Sequence, residues 1–273
     1  MKLPSSPSSG SFFSSKEKVC SRTKTRTGRI FTFGSLLLIF LAAFGARAQT
    51  TNALSEAEVQ GRALAKKILA QLDQPPAESS TNTGILEIRN AQDQLTRVSL
   101  AFKIIVTPTN WEAIYQADST NGVETLSRIW RPDQGSELSY HSAKPFSMSG
   151  DTPLFDHPFA NSDFLVGDLD LQFFGWPEQK IVKKEFARGH GCMVLESTNP
   201  NPLPNSYSRV DSWIDEEMLG IVQAKAYDAK GKLLKEFYPK DFKKVDGQWQ
   251  LESMEIRNVQ TGSRTRIEFD LKK

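Results

Sequence analysis

The sequence predicts an α+β protein built on one broad antiparallel β-sheet, and three observations carry that expectation. Glycine-centred turns punctuate the last third of the chain at Asp228-Ala229-Lys230-Gly231, Val245-Asp246-Gly247-Gln248 and Gln260-Thr261-Gly262-Ser263. They stand 16 and then 15 residues apart, with strand-like sequence between them. Asp and Gly tolerate the positive φ that tight hairpin turns demand. After the last turn, Ser263, Thr265, Ile267, Phe269 and Leu271 alternate with Arg264, Arg266, Glu268, Asp270 and Lys272. That period of two marks a strand with one buried and one wet face. The third observation is an amphipathic helix near residue 55, suited to cover the apolar face of the sheet.

That helix is signalled from both ends. Ser55 with Glu58 forms a capping box, and Leu54 with Val59 offers a hydrophobic staple. Leu64, Ile68 and Leu72 recur at four-residue spacing beside Ala65 and Leu69, and Pro75-Pro76 ends the run. Pro75 to Thr83 reads as a polar linker. A first strand group follows, with Thr96, Val98, Leu100, Phe102, Ile104 and Val106 on one face. Trp111, Ala113 and Tyr115 share a face in the next run, and Val123 to Ile129 continues after a turn at Asp118–Gly122.

Arg131 to Phe159 lacks periodicity and reads as loop with a short strand or two. Farther on, Asn161 or Ser162 is placed to cap one helical turn, and Asp168 a second that Gly175 and Pro177 end. Gln179–Glu185 and Cys192–Ser197 flank Arg188-Gly189-His190-Gly191 as a hairpin.

The first 48 residues read as an export signal. Basic residues from Lys2 to Arg29 precede the apolar run Leu36–Phe44, and Ala46-Arg47-Ala48 supplies a small-x-small cleavage pattern before Gln49. The run is far shorter than the roughly 20 residues a spanning helix needs, which argues against a retained anchor. The expected product is periplasmic, Gln49–Lys273, with residues 49–83 as helix and linker and 84–273 as the sheet. Subtracting the leader's eight basic residues and one acid from totals of 34 and 32 leaves 26 and 31, a formal charge of −5. Such a surface carries no electrostatic footprint for nucleic acid, so none is expected as partner. Cys20 leaves with the leader, so Cys192 has no internal disulfide partner and reads as a buried strand residue.

Several phrases carry a resemblance. Tyr207-Ser208-Arg209-Val210 leads to Trp213-Ile214-Asp215, then to Tyr227-Asp228-Ala229-Lys230-Gly231-Lys232-Leu233-Leu234-Lys235. Asp246-Gly247-Gln248-Trp249, Met254-Glu255-Ile256 and Gln260-Thr261-Gly262-Ser263-Arg264-Thr265 follow, and Ser162-Asp163-Phe164 with Asp168-Leu169 stands upstream. In this order the chain resembles the LolA-like outer-membrane lipoprotein-sorting proteins, in the branch with a Ser-Asp-Phe…Asp-Leu motif. The resemblance runs from about Ser162 to Leu271. It implies a strongly curved antiparallel half-barrel plugged by helices, with an apolar cavity for acyl chains. It also implies that the N-terminal helix and the Ser162–Trp176 segment form a movable cover. A lipoprotein or lipid would be the cargo, and an export complex or outer-membrane acceptor a further partner.

The residues that would line such a cavity are Phe102, Ile104, Trp111, Tyr115, Trp130, Phe164, Phe173, Phe174 and Trp176. Each also suits ordinary core packing, because aromatics dominate cores. Ser162, Asp163, Phe164 and Asp168 are expected to be structural. Asp163, Asp168 and Asp170 lack a neighbouring histidine or calcium-loop spacing, and caps account for them better than catalysis. His190-Gly191-Cys192 lacks the second ligand pair of a zinc site. No nucleophile elbow, P-loop or dinucleotide fingerprint occurs, so no catalytic residue, metal or cofactor is assigned. A different class of function would be a fully packed sheet serving an export or envelope-assembly machine without lipid. A lipid hydrolase using His157 or Asp163 has little in its favour.

Overall fold

In a computed structural model, residues 54–119, 122–142, 154–204, 206–245 and 248–271 are described; the expected export signal and Asp246-Gly247, read as a turn, lie outside them. Helix α1 (Glu56–Leu72) opens the described chain. Ser55 N–H donates to Glu58 Oε2 at 2.7 Å and Glu58 N–H to Ser55 Oγ at 3.3 Å, so the expected capping box closes. Leu54 and Val59 stay exposed. Gly61, Leu64, Ala65 and Ile68 form the buried face.

Among the described residues, twelve antiparallel strands make one open sheet. β1 (Ser80–Arg89), β2 (Leu95–Val106), β3 (Trp111–Ser119), β4 (Gly122–Arg131) and β5 (Gly135–Ser142) form the first meander. β6 (Glu178–Ala187), β7 (His190–Thr198), β8 (Tyr207–Asp215), β9 (Ile221–Asp228), β10 (Leu233–Val245), β11 (Gln248–Asn258) and β12 (Arg264–Asp270) form the second. The chain starts at the sheet's middle, winds out to β5, crosses to the far edge at β6 and winds back until β12 pairs with β1. This seam is tight: a Cβ on Gly84 would lie 2.4 Å from the Glu268 carbonyl oxygen.

Two expectations shift. β1 begins at Ser80, inside the stretch read as linker, because Ser80–Thr83 pair with Ile104–Ala101 of β2, and backbone pairing does not require apolar side chains. β5 is a full strand in a segment read mostly as loop; its polar side chains hide the pattern while its register with Arg131–Glu124 is unbroken. The turns behave as read. Gly231 and Gly262 have φ of 74° and 79°, and Arg188-Gly189 joins β6 to β7 with φ of 50° and 91°. Thr265, Ile267, Phe269 and Leu271 are buried, as the alternation requires, and so is Cys192.

Residues 154–177, the described part of the segment between β5 and β6, form a strap across the apolar face. It contains 3₁₀ turns at Leu154–Asp156, Phe159–Asn161 and Gln172–Gly175, and a single helical turn α2 (Val166–Leu169). Two apolar cores form beneath it. One joins Phe159, Phe164 and Val166 to Leu86, Leu100, Leu126, Ile256 and Ile267. The other joins Phe173 and Phe174 to α1 and to Leu195, Val210 and Ile214. Helix α1 lies along the β6 edge, where a Cβ on Gly61 would come within 2.5 Å of the Lys180 backbone. That contact shields one sheet edge from unwanted pairing.

Candidate functional site: an apolar groove under a pinned strap

Polar anchors fix the strap at successive strands. Near β4, Ala160 N–H and Tyr140 O–H both donate to Glu124 Oε2, at 2.7 and 2.6 Å. Over β12, Asp163 accepts from Ser263 Oγ and Thr265 Oγ1, while its own N–H donates to Thr265 Oγ1 at 3.0 Å. From β10, Lys235 Nζ donates to the Asp163 carbonyl at 2.6 Å. Over β8, Asp168 Oδ2 accepts from Tyr207 O–H at 3.0 Å and from Leu165 N–H at 2.8 Å. Asp168 therefore sits inside the first turn of α2 and reaches back to its start; it does not open the turn, as the spacing to Gly175 suggested. Ser162 Oγ accepts from Phe164 N–H at 3.1 Å, closing a local turn after a 3₁₀ helix that Pro158 precedes, so neither Asn161 nor Ser162 starts a helix. The Ser-Asp-Phe…Asp-Leu residues are thus the bolts of the strap.

Burial sets the electrostatics of these bolts. It pushes the Asp168 carboxyl up to about 6, although Lys235, Leu165 N–H and Tyr207 O–H oppose it. Burial likewise lowers the Lys235 ammonium pKa, against the attraction of Asp168, Asp163 and Asp156. The Tyr207 hydroxyl is driven well above its usual range by burial and then by Asp168.

A second set of ties lies toward β4. Arg128 donates to Asp73 at the end of α1 at 2.6 Å, to Asp170 of the strap at 3.0 Å and to Ser136 of β5 at 2.9 Å. One guanidinium thereby joins helix, strap and sheet. Burial raises the Asp170 pKa despite that arginine. The same carboxylate, after burial itself, helps push Tyr115 up to about 12.

Between these ties the packing is incomplete. A cavity of about 540 Å³ runs among α1, Leu169, Leu171 and Phe173 of the strap, and Phe237 and Met254 of the sheet. Met218 and Phe242 in its wall are exposed, so it reaches the surface there. A neighbouring cavity of about 300 Å³ lies over β2 to β4. The two share Gln71, Leu72, Tyr115, Leu169 and Leu171, so a few side chains of the helix end and the strap divide one groove into two chambers.

Phe102, Ile104, Trp111 and Tyr115 line the smaller chamber; Tyr115, Phe164 and Phe173 line the larger. The register sets Trp130 opposite Trp111, on the same face of the sheet. Phe174 is fully buried against α1 and β7, and Trp176 borders a separate cavity beyond the strap. Sequence reading missed Arg128, Lys235 and the wall from Met218 to Leu251. Their roles arise from contacts between residues far apart in the chain, and no local pattern announces them. Among the described residues no three His, Cys, Asp or Glu side chains converge as metal ligands, and no helix is long and apolar enough to cross a membrane.

This open antiparallel sheet, covered by one helix and a strap, is a fold also seen in solved structures of low sequence identity. The chain is similar to a DUF1329 family protein from Desulfovibrio piger at 17% identity and TM-score 0.58, covering 79% of this chain and 92% of that one. It is similar to a putative outer membrane lipoprotein-sorting protein domain from Vibrio parahaemolyticus at 18% identity and TM-score 0.56, covering 78% and 92%. A LolA superfamily protein from Nitrosomonas europaea gives 14% identity and TM-score 0.51 over 76% and 91%. At these identities the likeness is one of fold. A family model described as an uncharacterized protein matches residues 155–272, and no curated protein matches the chain.

Proposed function

We propose that the protein is a periplasmic, non-catalytic carrier that shelters the acyl chains of a lipoprotein or lipid in the groove beneath the strap. The observation that supports this most is the two-chambered apolar groove, left unfilled beside a core that α1, Phe173 and Phe174 seal. An acyl chain gains roughly 0.8 kcal/mol for each CH₂ it buries, so even part of a chain taken up here competes with a bilayer. Helix α1 and the strap serve as the cover, with Arg128 as the tie that must yield for cargo to pass. The known structures of like fold support the reading by analogy only, since one fold hosts many functions. An export complex or an outer-membrane acceptor would give and take the cargo.

Native mass spectrometry of the protein purified from a periplasmic extract without detergent tests this. A reproducible adduct of phospholipid or lipopeptide mass is expected. A bare polypeptide mass that stays bare after incubation with lipid vesicles would refute carriage.

A further inference from the structure

A third cavity, of about 310 Å³, lies between the strap and the segment joining β7 to β8. It shares only Asp168 and Phe173 with the larger chamber of the groove. Most of its wall is apolar, with Phe155, Trp176 and Leu203 prominent, and its charged wall residues are the carboxylates Asp156 and Asp168. No Lys, Arg or His stands in that wall. A concave, mainly apolar site with a few convergent polar groups is the usual form of a small-molecule pocket.

Asp168 is the decisive residue. It is 6% exposed, and its Oδ2 is taken by Leu165 N–H and Tyr207 O–H. Its Oδ1 is buried and has no hydrogen-bond partner among the described residues. An uncompensated carboxylate oxygen in such surroundings is costly, and a cationic donor would offset that cost. Lys235, the neighbouring cation, attracts Asp168, Asp163 and Asp156 through space, while its Nζ donates to the Asp163 carbonyl and lies 5.3 Å from the Tyr207 ring centre. Burial still outweighs Lys235 and the two hydrogen bonds and raises the Asp168 pKa to about 6.

We propose that this cavity binds a small organic cation, a primary ammonium on an apolar stem, with the ammonium held by Asp168 and Asp156 and the stem packed against Trp176 and Leu203. The aromatic wall adds cation–π attraction to the two carboxylates. The site meets the acyl groove only at Asp168 and Phe173, so most of its wall is its own.

Calorimetric titration of the purified protein with 2-phenylethylamine at neutral pH tests the proposal, with 2-phenylethanol as the uncharged analogue. Saturable amine binding is expected, weaker by about tenfold or more for the alcohol and for Asp168→Asn. Asparagine keeps a carbonyl oxygen to accept from Leu165, and the melting temperature reports that the variant is folded. Leu203→Trp, on a part-exposed loop, fills the cavity and should abolish amine binding while leaving lipid adducts unchanged. If Asp168→Asn fails to fold, the amine–alcohol contrast and Leu203→Trp decide alone. Equal affinity for amine and alcohol, undiminished binding by either folded variant, or no saturation to about 10 mM amine would overturn the proposal.

Discussion

Two regions of the sheet use their apolar residues differently. On β7 to β9, Leu195, Val210, Ile214 and Ala226 are sealed under α1, Phe173 and Phe174. Along the groove, Phe102, Ile104, Tyr115 and Leu138 face the smaller chamber and Ile221, Phe237 and Met254 the larger, all only half-covered. One sheet therefore combines a core that stabilises the fold with an apolar surface that the fold leaves open. The difference follows the cover: α1 packs on β6 and β7 and ends at Leu72, whose side chain borders both chambers.

The contrast can be broken most directly by truncation. Leu195→Ala or Ile214→Ala should cost about 2–5 kcal/mol, read from urea unfolding, because the sealed core cannot collapse into the void. Ile104→Ala should cost only about 1 kcal/mol, since its side chain is already part-exposed. Equal losses would mean that the groove wall is as filled as the core under α1.

Titration of Asp168 sharpens the role of the strap. Its folded-state pKa of about 6 lies above the ordinary 3.8, so the native state holds the proton more tightly than the unfolded chain. Its contribution to stability therefore falls as pH rises from about 4 to about 6, and the full penalty, up to about 3 kcal/mol, stands above pH 6. The stability difference between the wild type and Asp168→Asn, followed by unfolding at pH 4 to 7, should change in that window and in that direction.

The seam between the meanders is a third point of attack. Gly84→Val should lose about 1–3 kcal/mol, because the new side chain meets Glu268 backbone that cannot retreat without opening β1 from β12. A smaller loss, about 1–2 kcal/mol, is expected from Arg128→Met, whose partners Asp73 and Asp170 keep some contact with water. Its clearer signature should be faster exchange of a bound fluorescent fatty acid.

Much of the second meander was legible because its signals are local. The turns at Gly231 and Gly262 and the alternation from Thr265 to Leu271 depend on neighbours along the chain, as does the Ser55–Glu58 capping box. The strap was not legible in the same way. Asp163 and Asp168 could be read as polar residues near helical turns, but their partners Ser263, Thr265 and Tyr207 are distant in sequence. Lys235 closes a phrase that also holds Lys230 and Lys232, yet it is buried. Phe102 and Phe174 carry the same aromatic signal in the sequence; one faces a chamber and the other fills a core, and only the path of the strap separates them.

The central claim is that the groove beneath the strap is a binding surface. It is tested most directly by titrating an environment-sensitive fluorescent fatty acid into the wild type, Phe102→Asp and Phe186→Asp, with melting temperatures measured alongside. Phe186 is 76% exposed on β6, away from the groove, and so controls for added charge. The account predicts saturable uptake by the wild type and Phe186→Asp and its loss in a still-folded Phe102→Asp. Uptake undiminished in Phe102→Asp, or absent from the wild type, would contradict it.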